Sequence, residues 1–341
     1  MPRHYLITGG AGFIGSNFVK RLLSRGEQVT IYDNLSRAGS KLNLKWLQET
    51  CGESSFRLVV ADVRDMAALT ACVREVDVIV HLASQVAVTT SVLHPREDFE
   101  INALGTFNVL EAARLSGQQP IVLYASTNKV YGGMEEVAIV EGPTRYAYAD
   151  LPLGVPETQT LDFHSPYGCS KGAGDQYVRD YHRIYGLPSV VLRQSCIYGP
   201  RQFGVEDQGW VAWLTIAAIM GRAITIYGDG KQVRDLLYID DLLDAYDLAL
   251  EHISIAAGRV YNLGGGPANV LSVWCEFGPM LEQMIGREVP VNWDHWRPGD
   301  QRVFVADIRK AGQELGWLPK VGVQEGTLKL AEWVKENRSL F

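Results

Sequence analysis

Short apolar runs alternate with helical periods over the first two hundred residues. Tyr5-Leu6-Ile7-Thr8 is a β-prone run that stops at Gly9-Gly10-Ala11-Gly12. From Phe13 the period becomes helical, with Ile14, Phe18, Leu22 and Leu23 on one face, and it ends near Gly26. A second run, 29–32, is stopped by Asp33-Asn34, and further runs lie at 56–60, 78–82, 121–124 and 189–192. Amphipathic stretches of helical length, such as 107–115 and 171–185, separate most of them. Alternation of this kind predicts an α/β fold, a Rossmann-type doubly wound parallel sheet with helices on both faces. The runs are continuous in Val, Ile and Leu, which suits strands buried on both sides. The rhythm breaks after residue 197. Residues 198–235 hold Gly-Pro, Gly-Asp-Gly and a Trp-rich helical stretch at 210–220, and 266–341 mix helices with few strands. The expected division is a larger domain of 1–197 plus about 236–265, and a smaller mixed α/β domain of about 198–235 plus 266–341.

Composition narrows the function. A chain of 341 residues, 47% hydrophobic, has material for about two domains. A net charge of −7 argues against a nucleic-acid partner, which calls for a basic face. No apolar run approaches the ~20 residues of a membrane helix. Met-Pro-Arg-His enters the first strand at once, so no signal peptide and a cytoplasmic location are expected. Cys51, Cys72, Cys169, Cys196 and Cys275 are scattered and form no Cys-x-x-Cys, so reduced thiols and no metal are expected. The 34 glycines, one residue in ten, have no period, which sends attention to where they fall.

Three motifs carry chemistry. Gly9-x-x-Gly12-x-x-Gly15 lies between a strand and a helix, where glycines allow a tight turn and close approach of backbone to a pyrophosphate. Asp33 ends the next strand, eighteen residues after Gly15. A carboxylate there accepts hydrogen bonds from a ribose 2′-OH and repels a 2′-phosphate, which favours NAD over NADP, with Arg37 nearby as the opposing sign. Tyr167-x-x-x-Lys171 follows Ser165-Pro166, a helix start, and the i, i+4 spacing puts phenol and ammonium on one face. A neighbouring ammonium and an oxidised nicotinamide both favour the phenolate, which makes a general base; without a dinucleotide turn the pair would read as surface polarity. Thr127, in Ala125-Ser126-Thr127-Asn128-Lys129-Val130-Tyr131-Gly132, stands just past the 121–124 run, at the end of a parallel strand that faces a ligand crevice.

At these motifs the sequence resembles the extended short-chain dehydrogenase/reductase family over nearly its whole length. The resemblance implies NAD as cofactor and Thr127, Tyr167 and Lys171 as catalytic residues. It implies cofactor contacts at Gly9, Gly12, Phe13, Ile14, Gly15, Asp33, Asn34, Ser36 and Arg37. Further contacts are implied at Asp62, Val63, Leu82, Ala83, Ser84, Gln85 and Asn102. Gly228-Asp229-Gly230-Lys231-Gln232-Val233-Arg234-Asp235 and Arg297-Pro298-Gly299-Asp300 resemble the family's nucleotide-sugar elements, where an arginine grips pyrophosphate. Members share hydride transfer from a sugar carbon and differ in what the keto sugar does next. Dehydratases of the family carry acidic residues where Asn128 and Lys129 stand, so dehydration is not expected; re-reduction after the sugar turns over, epimerisation, is.

Longer strings resemble the branch that inverts C2 of a CDP-sugar. They are Leu161-Asp162-Phe163-His164-Ser165-Pro166-Tyr167, Arg201-Gln202-Phe203, Asp207-Gln208-Gly209-Trp210-Val211 and Asp300-Gln301-Arg302-Val303-Phe304. This implies substrate contacts at Thr127, Asn128, Gln194, Cys196, Arg201, Gln208 and Gly209, and at Arg234, Arg297, Asp300 and Arg302. The expected function is C2 epimerisation of a CDP-sugar of the paratose-to-tyvelose type, with UDP-sugar 4-epimerisation as the alternative. A homo-oligomer, dimer or tetramer, is expected by resemblance alone.

Overall fold

The computed structural model describes residues 2–297 and 300–341. Its main sheet contains β1 (His4–Thr8), β2 (Gln28–Asp33), β3 (Arg57–Val60), β4 (Val78–His81) and β5 (Ile121–Thr127), with strands Ser189–Gln194 and Val260–Leu263. The order is Val260–Leu263, Ser189–Gln194, β5, β4, β1, β2, β3. β1 pairs in parallel with β2 and β4, and Thr8 stands opposite both Tyr32 and His81. β2–β3 and β4–β5 are parallel as well. The chain thus winds one way from β1 to β3 and the other way from β4 onward, and such a reversal opens a ligand crevice at the carboxyl ends of β1 and β4.

Helices cover both faces because successive strand residues point to opposite sides. Leu6, Ile79, Val122 and Tyr124 pack with Leu69 and Val73 of α3 (Met66–Val73 as the third of the long helices, after α1, Phe13–Ser24, and α2, Ala38–Cys51). Val109 and Leu110 of the helix Gly105–Leu115 and Val178 and Tyr181 of the helix Ser165–Tyr185 complete that cluster. On the opposite face Tyr5 meets the edge of Phe18 of α1 at 6.3 Å, and Phe18 meets Tyr246 at 5.5 Å. Burial on both faces fails at one edge of the sheet: in β3 Arg57 and Val60 are exposed, whereas the other edge strand, Val260–Leu263, is buried throughout.

Two elements extend beyond what periodicity suggests. β5 continues through Ala125-Ser126 to Thr127. The helix expected at 171–185 begins at Ser165, whose Oγ accepts from the Gly168 N–H at 3.2 Å, as Ser-Pro predicts. A π-helical turn, Glu100–Leu104, joins the helix Pro95–Phe99 to Gly105–Leu115.

The chain divides into two compact units. The first holds residues 1–127, 165–193 and 246–261; the second holds 128–164, 194–245 and 262–341. The boundaries differ from the sequence expectation: 128–164 and 236–245 belong with the second unit. Val130, Tyr131, Met134 and Val155 pack there with Phe304 and Ala306. Strand Val233–Tyr238 pairs there with Val270–Ser272, Val303–Phe304 and Cys196–Tyr198.

Within the first unit, a buried ion pair ties three elements together. Asp175, fully buried on the helix Ser165–Tyr185, accepts from Arg193 Nε and Nη2, both at 2.9 Å, and from Ser126 Oγ of β5 at 2.8 Å. Removing one partner would leave the other charge buried and unmatched. Asp175→Asn should therefore lower stability by about 3–5 kcal/mol; a urea-unfolding difference below about 1 kcal/mol would refute the tie.

Candidate active site

The turn between β1 and α1 is closed by backbone. Gly9, at φ +70, donates its N–H to Tyr32 O at 2.8 Å, and the Gly12 N–H bonds Gly9 O at 3.0 Å. A Cβ on Gly15 would lie 2.3 Å from Gly9 O, so the helix sits against the turn as only glycine permits. No side chain caps α1 at Gly12, and the first-turn N–H groups of Phe13 and Ile14 have no intrahelical acceptor by construction. That is the cradle a pyrophosphate requires. Asp33, buried at the end of β2, accepts from Ala11 N at 3.0 Å and Leu35 N at 2.8 Å. Burial raises its pKa above the ordinary carboxylate value, while those two N–H groups and the Arg37 charge pull it back. Arg37 is exposed, at the N-cap of α2. Asn34 donates to Asp62 Oδ2 at 2.9 Å and accepts from Ser36 N at 3.1 Å. The Arg64 guanidinium bonded to Asp62 holds that carboxyl down to about 2. Val63, beside it in sequence, is buried against Gly105. Donors, glycines and a terminal carboxylate together fit a dinucleotide.

After β4 the chain runs back over the same turn. Leu82 N bonds Thr8 O at 3.0 Å, and Ala83 N reaches Thr8 Oγ1 at 3.3 Å. Asn102, buried on the π turn, accepts from Ser84 Oγ at 2.8 Å and Gln85 N at 2.9 Å, and donates to Gln85 O at 3.0 Å. The cofactor-side residues expected from sequence are therefore brought together, and π turns occur often at functional sites.

Thr127, Tyr167 and Lys171 also converge. The Tyr167 phenol is hydrogen-bonded to the Thr127 side chain, and burial pushes its pKa up to about 12. Lys171 donates to Ala125 O at 2.6 Å and lies 4.4 Å from the centre of the Tyr124 ring. Burial draws its pKa down to about 7, against the charges of Asp175 and Asp98. His81, bonded to Thr8 Oγ1 at 2.7 Å and Thr106 Oγ1 at 3.0 Å, is drawn down to about 3 by burial and by Lys171, and so is neutral. A phenol with a hydroxyl partner and a nearby buried ammonium can exchange a proton with an alcohol.

The second unit holds the remaining expected residues. Arg234 donates to Asp300 Oδ1 at 2.6 Å and to Val233 O at 2.8 Å. Cys196 accepts from Trp210 Nε1 at 3.4 Å, and burial pushes its thiol up, so it is no nucleophile. Asn128 and Gln194 are buried, and Gly209, at φ +72, is the N-cap of the helix Trp210–Met220, just after Gln208. Arg302 lies over Tyr146 and Trp296, and Arg201 over Trp333. Arg297 stacks 3.9 Å from the centre of Tyr227 and pairs with Asp207 at 3.2 Å, so its charge already has an acidic partner. Pro298 and Gly299 of its motif lie outside the described residues.

Some participants carry no motif. Lys129, noted in the sequence only as a missing carboxylate, donates to Gln301 Oε1 at 3.3 Å, and burial with the Arg234 charge lowers it to about 8. Asp98 and Ser170 pass unnoticed in the sequence; the i, i+4 spacing of Asp98 and Asn102 is the signal that could have found the first.

Residues 6–330 match the family model described as GDP-mannose 4,6 dehydratase. The chain is 44% identical to CDP-paratose 2-epimerase of Salmonella typhi, across 96% of this chain and 98% of that one. It superposes on UDP-glucose 4-epimerase of Thermotoga maritima, solved with UDP-glucose, with a TM-score of 0.85 at 30% identity, covering 98% and 99%. A double mutant of dTDP-glucose 4,6-dehydratase from Streptomyces venezuelae, solved with NAD, gives 0.85 at 31%, covering 99% and 98%. The fold and these matches define a class: the chain belongs to the GDP-mannose 4,6 dehydratase family of extended short-chain dehydrogenases/reductases. That family is NAD-dependent, and the chain is one of its enzymes.

Asp33 should set the choice of dinucleotide. Asp33→Asn should reduce the preference for NAD over its 2′-phosphorylated form by about tenfold, worth ~1.4 kcal/mol. Calorimetric titration of cofactor-stripped protein with both dinucleotides measures it, and an unchanged ratio would show that this carboxylate does not read the ribose.

Proposed function

We propose that this enzyme inverts C2 of a CDP-sugar, CDP-paratose to CDP-tyvelose, through a transient 2-keto sugar. The observation that carries the reading is the buried Thr127–Tyr167–Lys171 set, followed in the chain by an amide and an ammonium, Asn128 and Lys129. Expelling water from the keto sugar needs an acid and a base, and no carboxylate stands at those two positions. The likeness to the Salmonella protein supports nucleotide-sugar epimerisation, and the name of that protein favours C2 as the carbon and CDP as the nucleotide in this reading.

The Gly9–Gly15 turn and Asp33 would hold NAD, which would supply hydride acceptance and return when bound. Tyr167 takes the proton of the sugar 2-OH, with Thr127 bridging, and later gives it back. Lys171 keeps the phenolate favourable by its charge and holds the cofactor ribose. Arg234, with Arg201 and Arg302, anchors the pyrophosphate while the keto sugar turns about its bonds to it, so that its other face is reduced. The exposed Phe107, Tyr177, Ile184 and Tyr185 on the helices Gly105–Leu115 and Ser165–Tyr185 support a homo-oligomer built on that face. Among the described residues, no helix is long and apolar enough to cross a membrane.

NMR of CDP-paratose, CDP-glucose and UDP-glucose after incubation reads the inverted carbon and the base together. Inversion at C2 of a CDP-sugar is expected; inversion at C4 of UDP-glucose, the activity named for the Thermotoga relative, would replace the proposal. In D₂O the product should carry no deuterium at C2, and deuterium there would mean deprotonation at carbon. Tyr167→Phe should lose at least about 100-fold in turnover while keeping bound NAD, and full activity in that variant would remove Tyr167 from its role.

A further inference from the structure

Among the described residues, the hydrogen-bond partners of Asp98, a carboxylate beside the Tyr167–Lys171 pair, are all neutral. Asp98, on the helix Pro95–Phe99, is 1% exposed. Its Oδ2 accepts from Ser170 Oγ at 2.5 Å, and its Oδ1 accepts from Gln85 Nε2 at 3.0 Å and Asn102 Nδ2 at 3.1 Å. Three donors satisfy its oxygens, yet neutral donors do not cancel a buried charge. Ser170 precedes Lys171 directly, and Gln85 and Asn102 belong to the loop and turn on the cofactor side. Two carboxylates act on the Lys171 ammonium, Asp175 more strongly and Asp98 after it. Asp175 is already bound at two oxygens by Arg193. Among the described residues, the other charged and titratable groups around the pair include the Tyr124 phenol of β5, raised by burial, His81 of β4, which is neutral, and Arg37 at the start of α2, whose charge reaches Tyr167. On the Asp98 helix and the π turn, Arg96 and Arg64 pair with Glu100.

We infer that Asp98 is a positioning residue whose negative charge keeps the Lys171 ammonium protonated and sets the pH range in which Tyr167 and Lys171 work. The inference rests on the roles given above to those two residues. The need is physical: burial alone discharges a lysine, and a cationic nicotinamide alongside would push further the same way. Asp98 opposes both, at the cost of raising the phenol's proton affinity as well. Removing a negative charge lowers the proton affinity of every neighbouring group, so both limbs of a bell-shaped profile should move to lower pH together.

The test uses the NAD-loaded protein. Phenolate absorbance near 295 nm is titrated in wild type and Asp98→Asn, with Tyr167→Phe as the blank, and the pH profile of turnover is measured beside it. Asp98→Asn should move the phenolate midpoint and both limbs down by about one pH unit. Asp98→Ser, a smaller neutral replacement, should move them alike, and Asp98→Glu should restore them. A lower rate with midpoint and limbs unmoved would overturn the inference and leave Asp98 a structural residue. If none of the sugars is turned over, the proposed function falls, while the absorbance titration still decides the part played by Asp98.

Discussion

The proposed role of Lys171 asks it to hold a positive charge where there is little water to stabilise it. A buried ammonium tends to lose its proton, and only nearby negative charge or hydrogen-bond acceptors prevent that. Against that loss the structure sets the Ala125 carbonyl, the face of Tyr124, and the carboxylates of Asp175 and Asp98, and the ammonium is drawn down to about 7. Each of these is fixed by something else. Ala125 and Tyr124 stand on β5, inside a sheet whose inner strands are covered on both faces. Asp175 is pinned by Arg193 and Ser126, and Asp98 by Ser170, Gln85 and Asn102. Packing, sheet topology and electrostatics thus converge on one side chain.

The same dependence explains the location of the pair. Reversal of the strand order at β1 opens a crevice beside the carboxyl ends of β1 and β4, and β5 ends next to it. A helix starting at Ser165 brings Tyr167 and Lys171 onto one face within its first two turns, as 3.6 residues per turn requires. Thr127 reaches the phenol because β5 runs three residues past its last strongly apolar position. Those three residues, Ala125-Ser126-Thr127, are polar or small, and sheet hydrogen bonding rather than hydrophobic patterning keeps them extended.

That contrast marks what the sequence reveals. The strand and helix order, the Gly9–Gly15 turn, Asp33 and the Tyr167–Lys171 spacing are legible because each depends on local periodicity or on a residue type that a single turn demands. The end of β5, the π turn at Glu100–Leu104 and the membership of 128–164 in the second unit depend on contacts between distant segments. Asp98 is the sharpest case. In the sequence it is one of several charges in Arg96-Glu97-Asp98, an ordinary solvated helix end. Only folding shows that Glu97 is exposed while Asp98 is buried beneath Ser170. Arg297 is legible only in part: a glycine- and proline-flanked arginine suggests a pyrophosphate contact, and the fold adds a stack on Tyr227 and a pair with Asp207 that the sequence does not show.

The overall charge of −7 conceals a local cluster of cations. In the second unit, Lys129 and Arg234 are close enough for one cation to depress the other, and Asp300 is the carboxylate that offsets them. Lys129, lowered only to about 8, remains mostly protonated at neutral pH. A pyrophosphate, with two negative charges, is the part of a nucleotide-sugar that such cations would attract, whereas a neutral sugar is not. The nucleotide end of the substrate is therefore where binding energy should concentrate. That is what a mechanism needing the keto sugar free to turn requires: hold the phosphates firmly and the reacting ring loosely.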